Sequence, residues 1–424
     1  MAFKRRDFLR LGLAGAGAAA LGACAATGLF GGRKARVVVV GGGFGGATTA
    51  KYLRMWDDRI EVTLIERNPN FISCPFSNLV IGGSKTMADI THGYDALRTR
   101  YGVNVMQAEV IGIDPHKQSV TTTAGAVGYD RLVISPGIDF MYGGGLANLA
   151  SAAAQEQIPH AWKAGAQTAN LRRQLEAMKD GGVYVISIPK APYRCPPGPY
   201  ERVCQVAAYL KTHKPRSKII VLDANPEITS KKGLFTRVWA EMYPGMIEYK
   251  PNNMAEEVDI ATRTIKTEFE KVKADVLNVV PPQKAGGVAD LAGVVNVDNR
   301  WCGVDFVTYE SKAQQNIHVI GDAIAAALPK SGHMANQTGK VCAGAIVALV
   351  NGDPVAATPK FANTCYSFVN DKEAMHVAGV YRYDPEKKTM AAVDGTVGVS
   401  GMWSEIEGGY AQAWAQNIWS DVLK

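Results

Sequence analysis

The stretch Arg36–Glu66, RVVVVGGGFGGATTAKYLRMWDDRIEVTLIE, leaves the start of this 424-residue chain little choice of fold. Val37–Val40 is a short β-branched run of the kind that fills a parallel strand buried on both faces. Gly41, Gly43 and Gly46 follow as G-x-G-x-x-G, with Phe44 inside the loop, and Ala47–Leu53 has helical composition. Ile60–Ile65 is a second strand, closed by Glu66. In such a unit the first glycine permits a tight turn, the second lets backbone approach a pyrophosphate, and the third lets helix and strand pack closely. The helix N-terminus faces the phosphates, and an acid about 20 residues beyond the last glycine accepts from a ribose hydroxyl. Glu66 stands at that position, with Arg67 beside it. The segment therefore predicts an adenine dinucleotide site.

The N-terminus reads as an export signal. Lys4-Arg5-Arg6-Asp7-Phe8-Leu9 is a twin-arginine pattern followed by the Ala/Gly-rich run Leu11–Ala26, too short and too weakly apolar for a membrane span. Residues 1–32 are taken as a signal removed on export to the periplasm, with no integral membrane segment in the mature chain. Leu21-Gly22-Ala23-Cys24 also fits a lipoprotein box; soluble export is the reading adopted. The leader carries four bases and one acid, so only +4 of the formal +7 belongs to the remainder. That mild balance, with no basic block interleaved with aromatics, argues against nucleic acid as partner. An oxidising destination permits disulfides. Of the seven cysteines none forms C-x-x-C or C-x-x-C-H, which points away from a zinc ribbon, a thioredoxin-type dithiol or a haem on this chain. No metal site is expected.

Cys74 lies in the loop after Glu66 and is held extended by Pro75. Two readings stand for it, a small buried hydrophobe or a covalent tether to the cofactor. Val103–Val120 suggests a small meander, and Tyr129–Ile134 is a strand ending at Pro136-Gly137, a turn that would return the chain beside the cofactor. Ala150–Ala169 reads as helical linkers. Val183–Ile188 then begins a second nucleotide-type unit. Its first turn, Pro189–Pro199, has five prolines where a glycine fingerprint would stand. Prolines remove N–H donors and fix φ, so a nicotinamide pyrophosphate has no cradle there.

Cys195 precedes the predicted helix Tyr200–His213. That helix's N-terminus, with Arg194 and Arg202, would favour a thiolate. Glu201 in the first turn is either a proton acceptor or a complement to the helix dipole, and Cys204 reads as core. Ile317–Ile320 delivers Asp322 to the end of a strand, where it either accepts from ribityl or ribose hydroxyls or caps the next helix. Lys330-Ser331-Gly332-His333 leads into the predicted helix Ala335–Val350. The final segment carries Cys365 and aromatics including Trp414.

The motif order G-G-G-F-G-G, C-P-F-S-N, R-C-P-P-G-P-Y-E, I-H-V-I-G-D-A, P-K-S-G and N-T-C-Y-S resembles the flavoprotein subunits of flavocytochrome c sulfide dehydrogenases. The resemblance covers essentially everything after the leader. It implies an α/β fold of the glutathione-reductase-like FAD/NAD(P)-binding type, with two dinucleotide-type domains and a C-terminal interface domain. The expected boundaries are 33–158 and 284–355 for the FAD domain, 159–283 for the second domain, and 356–424 for the interface domain. By the same resemblance, FAD is carried on Cys74 through its 8α-methyl group. Cys195 and Cys365 form a redox-active disulfide, Glu201 lies beside it, and Trp414 lies by the flavin. Gly41, Gly43, Phe44, Gly46, Glu66, Arg67, Pro136, Gly137, Asp322 and Lys330 complete the expected cofactor site. The partner would be a small c-type cytochrome that alone carries haem. Cys204 and Cys342 are extra to the pattern and leave a second disulfide open. The activity implied is oxidation of sulfide through the disulfide and FAD, with cytochrome c as acceptor. Two alternatives are a sulfide:quinone oxidoreductase and a non-catalytic flavin-binding subunit that docks a cytochrome.

Overall fold

The first strand, Ala35–Val40, lies at the centre of a five-stranded parallel sheet in a computed structural model that describes residues 34–424. The expected export signal falls outside the described residues. The sheet runs Ile317–Val319, Arg131–Ile134, Ala35–Val40, Ile60–Glu66, Asn104–Gln107. Val37, Val38 and Val39 are buried on both faces, the reason this strand reads as a continuous β-branched run. Asn104–Gln107 pairs in parallel with Thr63–Glu66 and belongs to this sheet. The meander starts later and comprises Val110–Asp114, Ser119–Thr122 and Gly125–Gly128.

The first helix spans Phe44–Trp56, starting one turn earlier than composition indicates. Gly46 fixes its closeness to the strand, since a Cβ there would stand 1.9 Å from the Gly41 carbonyl oxygen. A second small-residue contact joins this helix to Gly332–Asn351. A Cβ on Gly339 would come within 2.7 Å of the Gly45 carbonyl, and Thr49 Oγ1 donates to the Gly339 carbonyl at 3.3 Å.

The second parallel sheet runs Ile247–Lys250, Lys218–Asp223, Val183–Ile188, Val276–Val279. Its leading helix spans Gly198–His213, with proline in the first turn where a missing N–H costs nothing. Asp223, the acid that ends the second strand, accepts from Tyr200 Oη at 2.8 Å, Tyr249 Oη at 3.0 Å and the Asn225 amide groups at 2.9 and 2.7 Å. The α/β frame is kept while its nucleotide end is filled by the chain's own side chains. Within Ala150–Ala169 the first helix covers only Ala152–Gln157. A separate helix, Ala166–Ala177, begins after a coil that contains Pro159 and Gly165.

The C-terminal part is an antiparallel sheet of Lys360–Phe368, Ala374–Asp384 and Thr389–Ala392, with Gly398–Val399 on the middle strand. The helix Glu405–Leu423 buries Gly408, Ala411, Ala415, Ile418 and Val422 at helical spacing. Asp421 ties it to the first unit by accepting from Tyr52 Oη at 2.6 Å and Asn336 Nδ2 at 2.8 Å and by pairing with Lys340 at 2.7 Å. Among the described residues no helix is long and apolar enough to cross a membrane.

Candidate active site

Three cysteines far apart in sequence line one cavity: Cys74, Cys195 and Cys365, together with Glu201, Trp162, His333 and Trp414. A second, more open cavity is lined by Gly41, Gly43, Glu66, Arg67, Pro136 and Gly137 among others. Arg194 borders both. Apart from Phe44, Gly46, Asp322 and Lys330, which line neither cavity, the sequence-predicted residues separate into a dinucleotide cradle and a sulfur chamber that meet at one guanidinium.

The cradle has the features the glycine loop requires. Gly41 has φ +96°, and a Cβ there would stand 2.4 Å from the Ser135 carbonyl. Gly43 caps the first helix, and a Cβ on it or on Gly137 would enter open space. Glu66 Oε2 accepts the Gly42 N–H at 2.7 Å and Oε1 accepts from Asn68, which fixes the carboxylate at the cavity wall. Phe44 and Gly46 stand behind the wall; Phe44 packs edge-on against Phe71 at 5.0 Å.

Asp322 is buried, and its Oδ1 has no hydrogen-bond partner. An orphaned carboxylate oxygen is costly unless a donor arrives from outside the chain. Burial raises its pKa, while Arg194 and Lys330 oppose the shift. A flavin dinucleotide fits these residues: open glycine positions at a helix N-terminus, a fixed acid for the ribose, and an unsatisfied acceptor at a strand end. Lys330 is placed otherwise than expected. Its Nζ donates to the carbonyls of Asp322 and Ile324, both at 2.8 Å, and sits 3.9 Å from the Trp301 ring centroid. It braces the loop and lines neither cavity.

In the chamber, Cys195 holds a left-handed backbone, φ 59°, unusual for a residue with a Cβ. Its N–H donates to the Lys330 carbonyl at 2.7 Å, and its carbonyl accepts from Gly198 N–H at 2.8 Å. The expected thiolate preference at Cys195 is not what this environment gives. Burial pushes the thiol well up, with Cys365 and Glu201 adding to the rise and Arg194 opposing it. Arg202 is spent elsewhere, donating to the carbonyls of His160 and Ala161 and to Asn78 and Asn278. Burial also raises the Cys365 thiol, against hydrogen bonds from Asn363 and Ser331 and the charge of Lys231. All six described cysteines are free thiols, including Cys204, Cys302 and Cys342, which are buried in the core.

Glu201 is half-buried, with its pKa raised by desolvation against hydrogen bonds from Phe368 and Asn78. Cys74 sits on a loop held at both ends. Ser73 N–H donates to the Ile90 carbonyl at 2.8 Å, Trp419 Nε1 donates to Ser73 Oγ at 2.9 Å, and Ser77 bonds the Cys74 carbonyl. The Arg194 guanidinium faces the Cys74 side chain. Trp414 lies 6.0 Å from Tyr366 and 5.9 Å from His333, ring centre to ring centre. All three also line an outer groove that contains Tyr410 and Ile418. Sequence reasoning missed Lys231, Asn78, Ser331 and Asn363 as residues around the sulfurs.

Two parallel sheets, a glycine cradle and a cysteine chamber define a pyridine-nucleotide-disulfide-type FAD/NAD(P)-binding oxidoreductase. Residues 35–151 match the pyridine nucleotide-disulphide oxidoreductase family. Residues 168–281 match the central region of the sulfide dehydrogenase [flavocytochrome c] flavoprotein chain, and 357–423 match the flavin-binding region of flavocytochrome c sulphide dehydrogenase. The flavoprotein chain of that name from Chlorobaculum thiosulfatiphilum is 69% identical over 45 residues, 11% of this chain and 94% of that sequence. The chain belongs to the flavocytochrome c sulfide dehydrogenase flavoprotein family and is a flavin-binding oxidoreductase. The mitochondrial sulfide:quinone oxidoreductase of Mus musculus is 25% identical over 342 residues, 74% of this chain and 71% of that one. The sulfide:quinone oxidoreductase structure from Aquifex aeolicus superposes with a TM-score of 0.73 at 21% identity, covering 91% of each chain.

Proposed function

We propose that this chain oxidises sulfide at a Cys195–Cys365 disulfide, passes the electron pair to FAD, and delivers electrons to a c-type cytochrome subunit. The observation that carries this reading is the convergence of Cys74, Cys195, Cys365 and Glu201 on one cavity that meets the dinucleotide cradle at Arg194.

Gly41, Gly43, Glu66, Arg67, Pro136, Gly137 and Asp322 would hold the dinucleotide, with Cys74 tethering it through the 8α position. Bound FAD accepts two electrons and releases them singly. At the disulfide, attack of HS⁻ on one sulfur forms an S–S bond and breaks another, leaving a persulfide on one cysteine and a thiolate on its partner. No atom or electron is lost in that step. Glu201, half-buried and inclined toward its protonated form, holds a proton beside the pair. Trp414, Tyr366 and His333 separate the chamber from the outer groove, and that thin aromatic wall supports electron exit on this side. The proline-ringed loop and the filled Asp223 end support a reductant other than a nicotinamide. Export to the periplasm is proposed from the twin-arginine pattern, and the domain boundaries remain those proposed from the resemblance.

The exposed apolar residues Met402, Ile406 and Tyr410 near the start of the last helix favour a second reading, a quinone as acceptor. One assay on the purified, flavin-loaded chain with its cytochrome decides: sulfide-dependent reduction of cytochrome c against that of a soluble quinone. Loss of cytochrome reduction in Cys195→Ser and in Cys365→Ser is expected. Undiminished turnover would leave only a docking role, and exclusive quinone reduction would favour the second reading.

A further inference from the structure

A lysine lies buried behind the cysteine pair. Lys231 is 7% exposed and has a left-handed backbone, φ 56° and ψ 36°, at the start of the helix Lys232–Met242. Its Nζ donates to the Cys365 carbonyl at 3.0 Å and to Ser367 Oγ at 2.8 Å. Both acceptors belong to the strand that carries Cys365. Taking an ammonium out of water is expensive unless a counter-charge meets it, and a carbonyl and a hydroxyl supply none. The ionisable groups facing it are Cys365 on the C-terminal sheet, Glu201 and Cys204 on the Gly198–His213 helix, and Cys195 on the proline loop. Around these stand Tyr381, which feels Cys365, and the two arginines 194 and 202.

Neither arginine is free to serve Cys365. Arg202 donates to His160, Ala161, Asn78 and Asn278, and Arg194 donates to the Trp162 carbonyl, with its charge facing Cys74 and Asp322. The Cys365 sulfur itself receives Asn363 Nδ2 at 3.4 Å, and Ser331 Oγ donates to Asn363 Oδ1 at 2.7 Å. One oriented donor is thus set on the sulfur and a cation behind it, while the intact disulfide would carry no charge at all. Such an arrangement is of use only when the sulfur is negative.

We propose that Lys231 is the buried counter-cation of the Cys365 sulfur, stabilising the negative charge left there, as thiolate or persulfide anion, when the Cys195–Cys365 pair is opened. The inference rests on the redox-pair reading above. Lys231 touches no reacting atom in this arrangement and acts as a positioning residue, through charge. Removing it makes the opened pair less stable without removing either sulfur. Burial draws the lysine pKa down to about 8 against the opposing pull of Cys365, Glu201, Cys195 and Cys204, so the acidic neighbours limit the fall and the ammonium persists at neutral pH.

The test uses the flavin-loaded chain as wild type, Lys231→Met and Lys231→Arg. Two quantities are read: the equilibrium constant for opening the pair with dithiothreitol, which is oxidised to its cyclic disulfide, and the pH profile of Cys365 alkylation followed by peptide mass. In Lys231→Met the constant is expected to fall by about tenfold and the alkylation profile to move up by about one pH unit, the low end of the effect of a nearby opposite charge. Lys231→Arg is expected to restore both. If Lys231→Met accumulates no folded protein, Ser367→Ala, which frees one Nζ partner and keeps the charge, is expected to move the profile the same way by less. Coincident profiles in the variants and wild type would overturn the proposal. A wild-type pair that never forms a dithiothreitol-reducible disulfide would instead overturn the redox reading beneath it.

Discussion

The backbone N–H of Phe368 donates to Glu201 Oε1 at 2.9 Å. On its other oxygen the same carboxylate accepts Asn78 Nδ2 at 2.8 Å. Glu201 belongs to the helix that follows Cys195, Phe368 to the strand that carries Cys365, and Asn78 to the short helix after Cys74. One side chain therefore joins the three segments that bring the sulfurs together.

Replacing Glu201 separates its two duties. Glu201→Gln keeps the size and removes the titratable oxygen, and a fall in sulfide-dependent turnover of roughly 10²–10⁴ is expected, the span of a positioned acid–base group. Glu201→Ala leaves two buried donors unpaired and is expected to cost about 1–3 kcal/mol of stability for each, besides the turnover. Turnover assays paired with urea unfolding distinguish the variants.

Two glycines three residues apart should behave oppositely. Gly46→Ala drives a methyl into the Gly41 carbonyl, 1.9 Å away, so the strand–helix junction must open; a loss of about 1–3 kcal/mol in stability is expected. Gly43→Ala places its methyl in the open cradle, so the flavin-free fold should melt as wild type while flavin loading drops. Thermal melts and the ratio of flavin to protein absorbance read both.

Cys74→Ser removes the proposed tether and leaves the cradle. Flavin is expected to remain bound in the native protein and to be fully released into the supernatant on acid precipitation. In the wild type it should stay with the peptide containing Cys74.

His160 makes the fold acid-sensitive. It is buried, its Nδ1 accepts the Trp162 N–H at 2.9 Å, and burial with the nearby Lys163, Arg202 and Arg194 charges draws its pKa down to about 3. Below pH 6.5 the unfolded chain binds a proton that the folded chain refuses, so stability present above 6.5 is lost as pH falls toward 3. At pH 5 this one group removes about 2 kcal/mol relative to neutral pH. Unfolding free energies from urea titrations at pH 7.5 and 5.0 should differ less in His160→Asn than in wild type by about that amount.

The first sheet was legible because a buried parallel strand and a glycine turn leave a local pattern, and Val37–Gly46 carries both. Cys195 was visible through the prolines around it, yet its ionisation was not. Proximity of arginines is a sequence fact, whereas burial and the direction of Arg202's donors depend on the packing of Trp162, Asn278 and His160. The meeting of Cys74, Cys195 and Cys365 came from the resemblance; spacing alone gives no reason to join residues 121 and 170 positions apart. Lys231 left no trace in the sequence. A lysine after Ser230 in a polar turn reads as solvated, and only the left-handed turn directs it inward. Lys330 shows the reverse, a basic residue beside the expected cofactor helix that is consumed by its own loop.

Cys195 is held at both its amide and its carbonyl in a backbone region that a β-carbon disfavours, at a typical cost of about 1–3 kcal/mol. Its main chain has no slack to follow the sulfur. A change of bonding partner at Cys195 must then be a turn about a single side-chain bond, with the surrounding dipoles already in place. The residue works as a fixed electrode and not as a hinge, and a site of that kind can cycle many times without the chain around it having to rearrange.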